Sequence, residues 1–596
     1  MGAGRAPQRP RGHAARPLPL LRAPRQTAPA ARWRAPRTGP GGDAARRASV
    51  PQCAPRQTGR ATGTVRHPAL PRGGRRDRGT PAGGAAGRAV RAAPRHPRRG
   101  AGVRRVRQRR GAGRRVASRC GGGGGGAAVS GTAAEEPGGQ RPGPEWRRFS
   151  FGPWPADETV PQEQPDEATR RGLELPPTLR PVAGGEAVVQ RPVFDPSVQH
   201  HTRAMRLGEP EFADAQAGTR WYAARRRALD HVLAAVADSP WAPHLVLRGS
   251  VLLRAWYGDA AREPGDLDFV VEPVTWQLAD PRTERMLEEL ARAAEEHSAR
   301  AGGPVLLDAR GAARDEIWTY DRVPGRRLVV PWNAEGLPGG TVQLDFVFGE
   351  ALPAPAAPTR VPRPDGVPGG PLTLRAATRE LSLAWKVLWL ANDMYPEGKD
   401  FYDAVLLAED PSFTLSFDLL RAVFRDVEYG YFDRNPVLAG VIRHAAAQAE
   451  WREFAKDHPH ITGPAATAPD GPPAEWLERL DAGLAPTFAP KDDGSGESVR
   501  YRLSARWLAP LVAESHAAFA AGGLPAVLQR LHRSHVPPGS ALVVARQLLG
   551  PAGHTLEEVC SALAAFRPDP DPERPWRREG WPAPDLTRAA EWLRGD

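Results

Sequence analysis

The fold is read from Leu245-Val-Leu-Arg-Gly-Ser-Val-Leu-Leu-Arg-Ala-Trp-Tyr257 and, after a short polar gap, Gly265-Asp-Leu-Asp-Phe-Val-Val271. The apolar run from Leu245 to Leu247 ends at Gly249-Ser250, the pattern of a buried strand entering a turn. Val251 to Tyr257 reads as a helix, and Asp266 to Val271 as a second strand. Residues i and i+2 of a strand share a face. Leu267, Phe269 and Val271 therefore turn to the core, and Asp266 and Asp268 project together from the other side, with Cα atoms about 6.5–7 Å apart. Two carboxylates so placed suit hard divalent cations such as Mg²⁺. A pair of such ions ~3.5–4 Å apart stabilises the attacking and leaving oxygens of an in-line phosphoryl displacement. Taken alone, Asp-x-Asp is a common pattern, and two ordinary acids on an exposed strand are the simpler reading.

The residues before this pair sharpen it. Gly249 permits close backbone approach. Ser250 is expected to cap the helix, whose first N–H groups then face an anion, as a nucleoside triphosphate would require. On its own this is an ordinary strand–turn–helix with a serine cap. The order strand, Gly-Ser, helix, Asp-x-Asp strand is what carries weight. A third acid follows in Val342-Gln-Leu-Asp-Phe-Val-Phe348. Val342, Leu344, Phe346 and Phe348 form one apolar face, which leaves Asp345 on the other with Gln343 and Val347. If this strand lies beside the Asp266 strand, three carboxylates converge.

The formal net charge of +14 hides a split. Residues 1–120 hold 31 Arg against two acids, Asp43 and Asp77, whereas the rest of the chain holds 51 basic and 66 acidic side chains. A uniformly cationic nucleic-acid binder is thus excluded. Arg225-Arg-Arg227 is the local candidate for a basic groove. Lysine occurs only at Lys386, Lys399, Lys456 and Lys491, so Arg supplies nearly all positive charge, as expected of GC-rich coding DNA. The three cysteines, Cys53, Cys120 and Cys560, make no CxxC pair. They argue against a disulfide framework or a cysteine zinc site and fit a reducing, cytoplasmic setting. No run of ~18 apolar residues stands out, so no membrane span is expected, and the N-terminus lacks the apolar segment of a secretory signal.

Along the chain, residues 1–145 are Arg-, Pro-, Gly- and Ala-rich and are expected to be disordered, because they bury too little apolar surface to offset chain entropy. They read as a flexible leader, as an arm for nucleic-acid phosphates, or as out-of-frame DNA translated from a start codon assigned too early. Residues 146–195 read as a Pro-rich linker. Residues 196–372 read as an α/β domain, with a helix over 221–238, a Glu- and Arg-dense helix over 283–300, and strands at 305–308, 316–320, 327–330 and 341–348 around a Pro-rich loop at 351–371. Residues 373–596 read as helical and as completing the site. The predicted class is therefore α+β: a sheet with flanking helices, followed by a mostly helical domain, behind a disordered N-terminal arm.

Gly249-Ser250, Asp266-Leu-Asp268, a later strand Asp345, the helix Glu380-Leu-Ser-Leu-Ala-Trp-Lys386 and Lys399-Asp-Phe-Tyr-Asp403 together resemble the polymerase-β-like nucleotidyltransferase superfamily. More narrowly, the pattern resembles the AbiEii/AbiGii toxin family, which also places an Arg, here Arg262, shortly before Asp-x-Asp. Lys399 stands where that family usually has Arg, and Pro264 near a position that often holds Ser or Thr. The resemblance covers about 195–410. It implies transfer of a nucleoside monophosphate from an NTP, with Mg²⁺ or Mn²⁺ on Asp266, Asp268 and Asp345. Gly249, Ser250, Lys386 and Asp400 would bind nucleotide, and Lys386 and Asp403 would join the three acids as catalytic residues. An ammonium is a compact charge suited to phosphate oxygens; a plain surface lysine is the lesser alternative here. Asp400 and Asp403 share a helical face, and acids in a first helical turn also just complement its dipole. The resemblance further implies a toxin or antiphage (abortive infection) role, RNA such as tRNA as acceptor in some members, and a cognate antitoxin.

Two other readings are carried. One is nucleotide transfer to a small molecule or a protein side chain. The other is a non-catalytic nucleic-acid-binding or regulatory protein acting through the Arg-rich arm. His200-His201 and His458-Pro-His460 are set aside as metal ligands, because no Cys or His stands at zinc spacing from them. Cys560, alone in an amphipathic helix, reads as core.

Overall fold

A computed structural model of the chain describes residues 144–596, apart from 153, 156, 320–322, 394–395, 426, 463–469, 491–493, 571–578 and 596. The arm expected over 1–145 therefore lies almost wholly outside the described residues, as do Cys53, Cys120, Lys491 and the last residue of the strand expected over 316–320. Short elements precede the main sheet, including the strand pairs Val188–Val189 with Glu211–Phe212 and Pro192–Phe194 with Met205–Leu207. The segment 146–195, read as a linker, is packed instead: Trp146, Phe149, Val160, Leu175 and Leu179 cluster with Met205. Its proline content conceals widely spaced anchors with no helical or strand period.

The main elements begin with α1 (Ala215–Asp238), β1 (Leu245–Arg248), α2 (Ser250–Tyr257) and β2 (Asp266–Val271), then α3 (Pro281–Ala301) and β3 (Val305–Leu307). They continue with β4 (Ala313–Thr319), β5 (Val323–Ala334), β6 (Leu337–Val347), β7 (Ala357–Val361), β8 (Leu372–Ala376), α4 (Arg379–Asn392) and α5 (Gly398–Ala408). Strands β7 and β8 lie in and beside the stretch expected to be a loop. They pair with each other over Ala357↔Ala376 to Val361↔Leu372. Tertiary pairing outweighs their proline-rich surroundings.

The sheet has eight strands in the order β7-β8-β1-β2-β6-β5-β3, with β4 pairing β5 off that path. Strands β1 and β2 are antiparallel, β2 and β6 are parallel, and β6 and β5 form an antiparallel hairpin. The period-2 pattern of β2 places Leu267, Phe269 and Val271 at 0% exposure, but Val270 is also fully buried, because the sheet is covered on both faces around this strand. Each such side chain contributes roughly 1.5–3 kcal/mol by leaving water, which holds β2 in register against its neighbours. Phe269 and Phe346 stack across the β2–β6 pair with centroids 5.5 Å apart.

Beyond β8 the described regular elements are helical. Their buried side chains, from Leu381 on α4 to Leu593 near the end, belong to the same core as the sheet. The helix at Pro538–Leu549 lies within the stretch read as helical. Among the described residues one helix, Ala509–Arg533, is long and apolar enough to cross a membrane by length and composition alone. Much of its hydropathy comes from small alanines, and the helix is interrupted by non-helical Gly522 and Gly523 and carries Pro525.

Candidate active site

Asp266 and Asp268 leave the same side of β2, and Asp345 stands in register with Asp268 on parallel β6, as Gln343 does with Asp266. Carboxylate oxygens of the three lie within 4.8 Å of one another. Each carboxylate of such a set repels the others when ionised. Burial is the largest cause that pushes the Asp268 carboxyl up to about 7; the charges of Asp266 and Asp345 add to it, and Arg248 and Lys386 pull it back. Asp345 is raised as well, mainly by burial, with the Arg327 guanidinium opposing. A divalent cation would relieve this crowding. The oxygen-only donor set suits Mg²⁺ or Mn²⁺. The residues therefore fit such an ion.

The Gly-Ser turn lies against this cluster. Gly249 has φ of +85°, and a Cβ built on it would collide with Asp268 Oδ2. Only glycine meets both the left-handed backbone and the contact. The helix cap differs from the expectation. Gly249, not Ser250, occupies the N-cap, with no side-chain cap, and Ser250 is the first helical residue. Ser250 is 1% exposed. Its hydroxyl has no hydrogen-bond partner among the described residues. A buried, unpaired hydroxyl costs about 1–3 kcal/mol, and the uncapped N–H groups of α2 carry the positive end of its dipole. Both features suit an anion.

Lys386, Asp400 and Asp403 do come together, but as an ion-pair network. Lys386 Nζ lies 2.6 Å from Asp400 Oδ1 and 2.8 Å from Asp403 Oδ2, above the Trp389 ring. Arg262 donates to both oxygens of Asp403 at 3.2–3.3 Å. Asp403 is fully buried. Burial alone would raise it, yet Arg262 and Lys386 outweigh that and hold its carboxyl below the ordinary range. Lys399, in the position where Arg is usual, pairs with Glu397 at 2.8 Å. Arg225 and Arg226 are paired with Glu209 and Glu263, so neither offers the free basic groove considered from the sequence.

Sequence reasoning missed a second layer. Arg327 on β5 donates Nε to Asp345 Oδ1 at 2.9 Å and Nη2 to Oδ2 at 2.8 Å, while its Nη1 reaches Asp195 Oδ2 at 2.7 Å. Gln343 Nε2 donates to Asp345 Oδ2 at 3.1 Å. Each carboxylate oxygen has two lone pairs, so these bonds orient Asp345 without exhausting it. Arg248, in register with Asp268, pairs with Glu350 at 2.9 Å and packs over Trp385 and Trp389. The period-2 pattern of β5 and β6 was the available signal for Arg327, but it does not reveal their register.

Residues 231–480 match the family described as "Nucleotidyl transferase AbiEii toxin, Type IV TA system". Over that segment the chain is similar to the AbiEii nucleotidyltransferase family. That segment holds all three carboxylates, Gly249-Ser250, Arg262 and the Lys386–Asp400–Asp403 network. The AbiEii match stops short of Asp195, so the Arg327 anchor comes from outside it. Among solved structures, MenT4, a nucleotidyltransferase toxin from Mycobacterium tuberculosis H37Rv, is similar at 19% identity and a TM-score of 0.30, over 50% of this chain and 89% of its own. None of the curated proteins matches in sequence.

Proposed function

We propose that the protein is a metal-dependent nucleotidyltransferase that moves a nucleoside monophosphate from an NTP to an acceptor hydroxyl and releases pyrophosphate. The observation that carries this reading is the convergence of the Asp266, Asp268 and Asp345 carboxylates beside the uncapped start of α2. Asp266, Asp268 and Asp345 would hold Mg²⁺ or Mn²⁺, which supplies charge neutralisation and polarises phosphoryl oxygens. The Ser250 hydroxyl and the first amides of α2 receive phosphate oxygens, and Gly249 lets them approach. Asp345, oriented by Arg327 and Gln343, accepts the proton of the acceptor hydroxyl. The acceptor oxygen bonds to the α-phosphorus as the bond to the bridging oxygen breaks, and pyrophosphate carries the electron pair away. Lys386, fixed by Asp400 and Asp403, places a positive charge beside the carboxylates, where it faces the triphosphate.

RNA, with tRNA as the candidate, is the acceptor class this reading favours. The helical half beyond residue 373 offers more surface than a small acceptor needs. The family's type IV toxin–antitoxin assignment supports a cognate antitoxin as partner and a toxin or antiphage role in the cytoplasm. The test is incubation with each labelled NTP, Mg²⁺ and total RNA, beside an Asp266→Ala/Asp268→Ala variant and a chelator control. Label on RNA that disappears in both controls supports the reading. Equal labelling by the variant, or no transfer to RNA, protein or small acceptors, overturns it.

A further inference from the structure

We propose that His200, His201 and Asp315 form a second cation site, built for a borderline divalent metal such as Zn²⁺ rather than for Mg²⁺. The two histidines follow the turn Pro196–Val198, and Asp315 lies on β4, so the site joins segments far apart in sequence. His201 Nε2 lies 3.0 Å from Asp315 Oδ2, and His200 Nε2 lies 3.7 Å from Oδ1. Ligand atoms of all three residues fall within 4.8 Å of one another. Two ligands each ~2.0–2.1 Å from a tetrahedral zinc are about 3.3 Å apart. The two His–Asp separations bracket that value.

The surroundings match a metal site in three further respects. Asp315 is a buried acid, and among the described residues its ion-pair partners are these two histidines. Its strand partner Arg327 directs its guanidinium to Asp345, Asp195 and Ser197 instead. The Glu316 amide donates to Asp315 Oδ1 at 2.9 Å, an outer bond of the kind that orients a ligating carboxylate. The His200 and His201 side chains remain 33% and 18% exposed, which leaves a fourth position open to water. A donor set of two imidazoles and one carboxylate favours Zn²⁺ over Mg²⁺, the reverse of the three-carboxylate cluster.

The site has a structural consequence. The His201 amide bonds to Val198 O at 2.9 Å, and Asp195, which caps the same turn, holds Arg327. A metal here would pin the 195–201 segment to β4 and so steady the Arg327 contact on Asp345.

The test is zinc binding by the full-length, untagged chain in excess Mg²⁺, followed by equilibrium dialysis and by thermal unfolding. Wild type is expected to retain one more Zn²⁺ than a His200→Asn/His201→Asn variant, and to gain Tm with zinc where the variant does not. His200→Gln, which leaves the His201–Asp315 bond in place, should keep the metal-free Tm and weaken zinc binding roughly tenfold or more. Asp266→Asn should bind zinc as wild type does, whatever becomes of nucleotide transfer. Zinc held elsewhere, on Cys53 or Cys120 for example, is common to all variants and cancels. Equal zinc stoichiometry and affinity in wild type, the double variant and His200→Gln would overturn the proposal.

Discussion

Asp345 stands directly beside Asp268 across the parallel β2–β6 pair, and Arg327 holds it there through both of its oxygens. The acid that completes the cluster is thus itself a member of a buried ion-pair chain that reaches Asp195. The ion pairs divide the cluster into two parts. Asp266 and Asp268 share one side of β2, with Arg248 and Lys386 near enough to lower the Asp268 pKa, whereas Asp345 is fixed in orientation by a guanidinium on the neighbouring strand.

Removing that guanidinium strands two buried carboxylates. Arg327→Met should destabilise the protein by about 3–5 kcal/mol, the usual cost of leaving one member of a buried pair uncompensated. Arg327→Lys keeps the charge but loses the fork, so it should cost less and still lower nucleotide transfer. Urea unfolding of both variants, set beside transfer rates, checks this; a neutral Arg327→Met would contradict it.

At Gly249 a single methyl should suffice to damage the site. Gly249→Ala meets Asp268 Oδ2 and must also adopt a positive φ that L side chains rarely take, at about 1–3 kcal/mol. Metal-dependent stabilisation, measured as the Tm gain on adding Mg²⁺ or Mn²⁺, should fall sharply. An unchanged gain would show that the carboxylates tolerate the contact.

The Lys386 network should behave as a unit. Asp403→Asn and Lys386→Met each leave buried charge behind and are expected to lose about 3–5 kcal/mol. The double variant should lose less than the two losses added together, because each single change already breaks the shared bond. A denaturant-unfolding cycle reads the coupling directly, and strict additivity would mean that the 2.8 Å contact contributes nothing.

The His458 ring gives a pH signature. Burial, reinforced by the charge of Arg262, lowers its pKa to about 4, and the ring packs on Phe454. A depressed histidine favours the neutral form in the folded state, so the stability it contributes is present above pH ~6.5 and is lost as pH falls toward 4. His458→Gln should flatten the stability profile over that window and leave its slope near pH 8 unchanged. The same slope in variant and wild type would assign the acid sensitivity elsewhere.

Much of the site is legible in the chain because its signals are local. A period-2 alternation on a strand determines which side chains share a face, so the alternation alone groups Asp266 with Asp268 and sets Asp345 opposite Phe346. Gly249 carries its signal as a glycine between a buried strand and a helix. Serine is a common N-cap residue, which is why Ser250 reads as the cap; here the turn needs the positive φ one residue earlier and moves the helix start onto Ser250. The packing of 146–195 is hidden because its anchors have no period to detect.

The partners of those residues are decided only by the tertiary structure. Counting outward from Leu337↔Ala334 puts Asp345 opposite Arg326, but the irregularity between Leu337 and Gly340 moves the pairing by one residue and brings Arg327 there instead. A one-residue slip exchanges the faces of a strand, so the charge that orients Asp345 is beyond the reach of any local pattern. The same holds for His201 with Asp315, separated by 114 positions. Periodicity and turn chemistry are properties of neighbouring residues and can be read from the sequence. Register, bulges and the meeting of distant segments depend on the packing of the whole chain, and only the folded structure settles them.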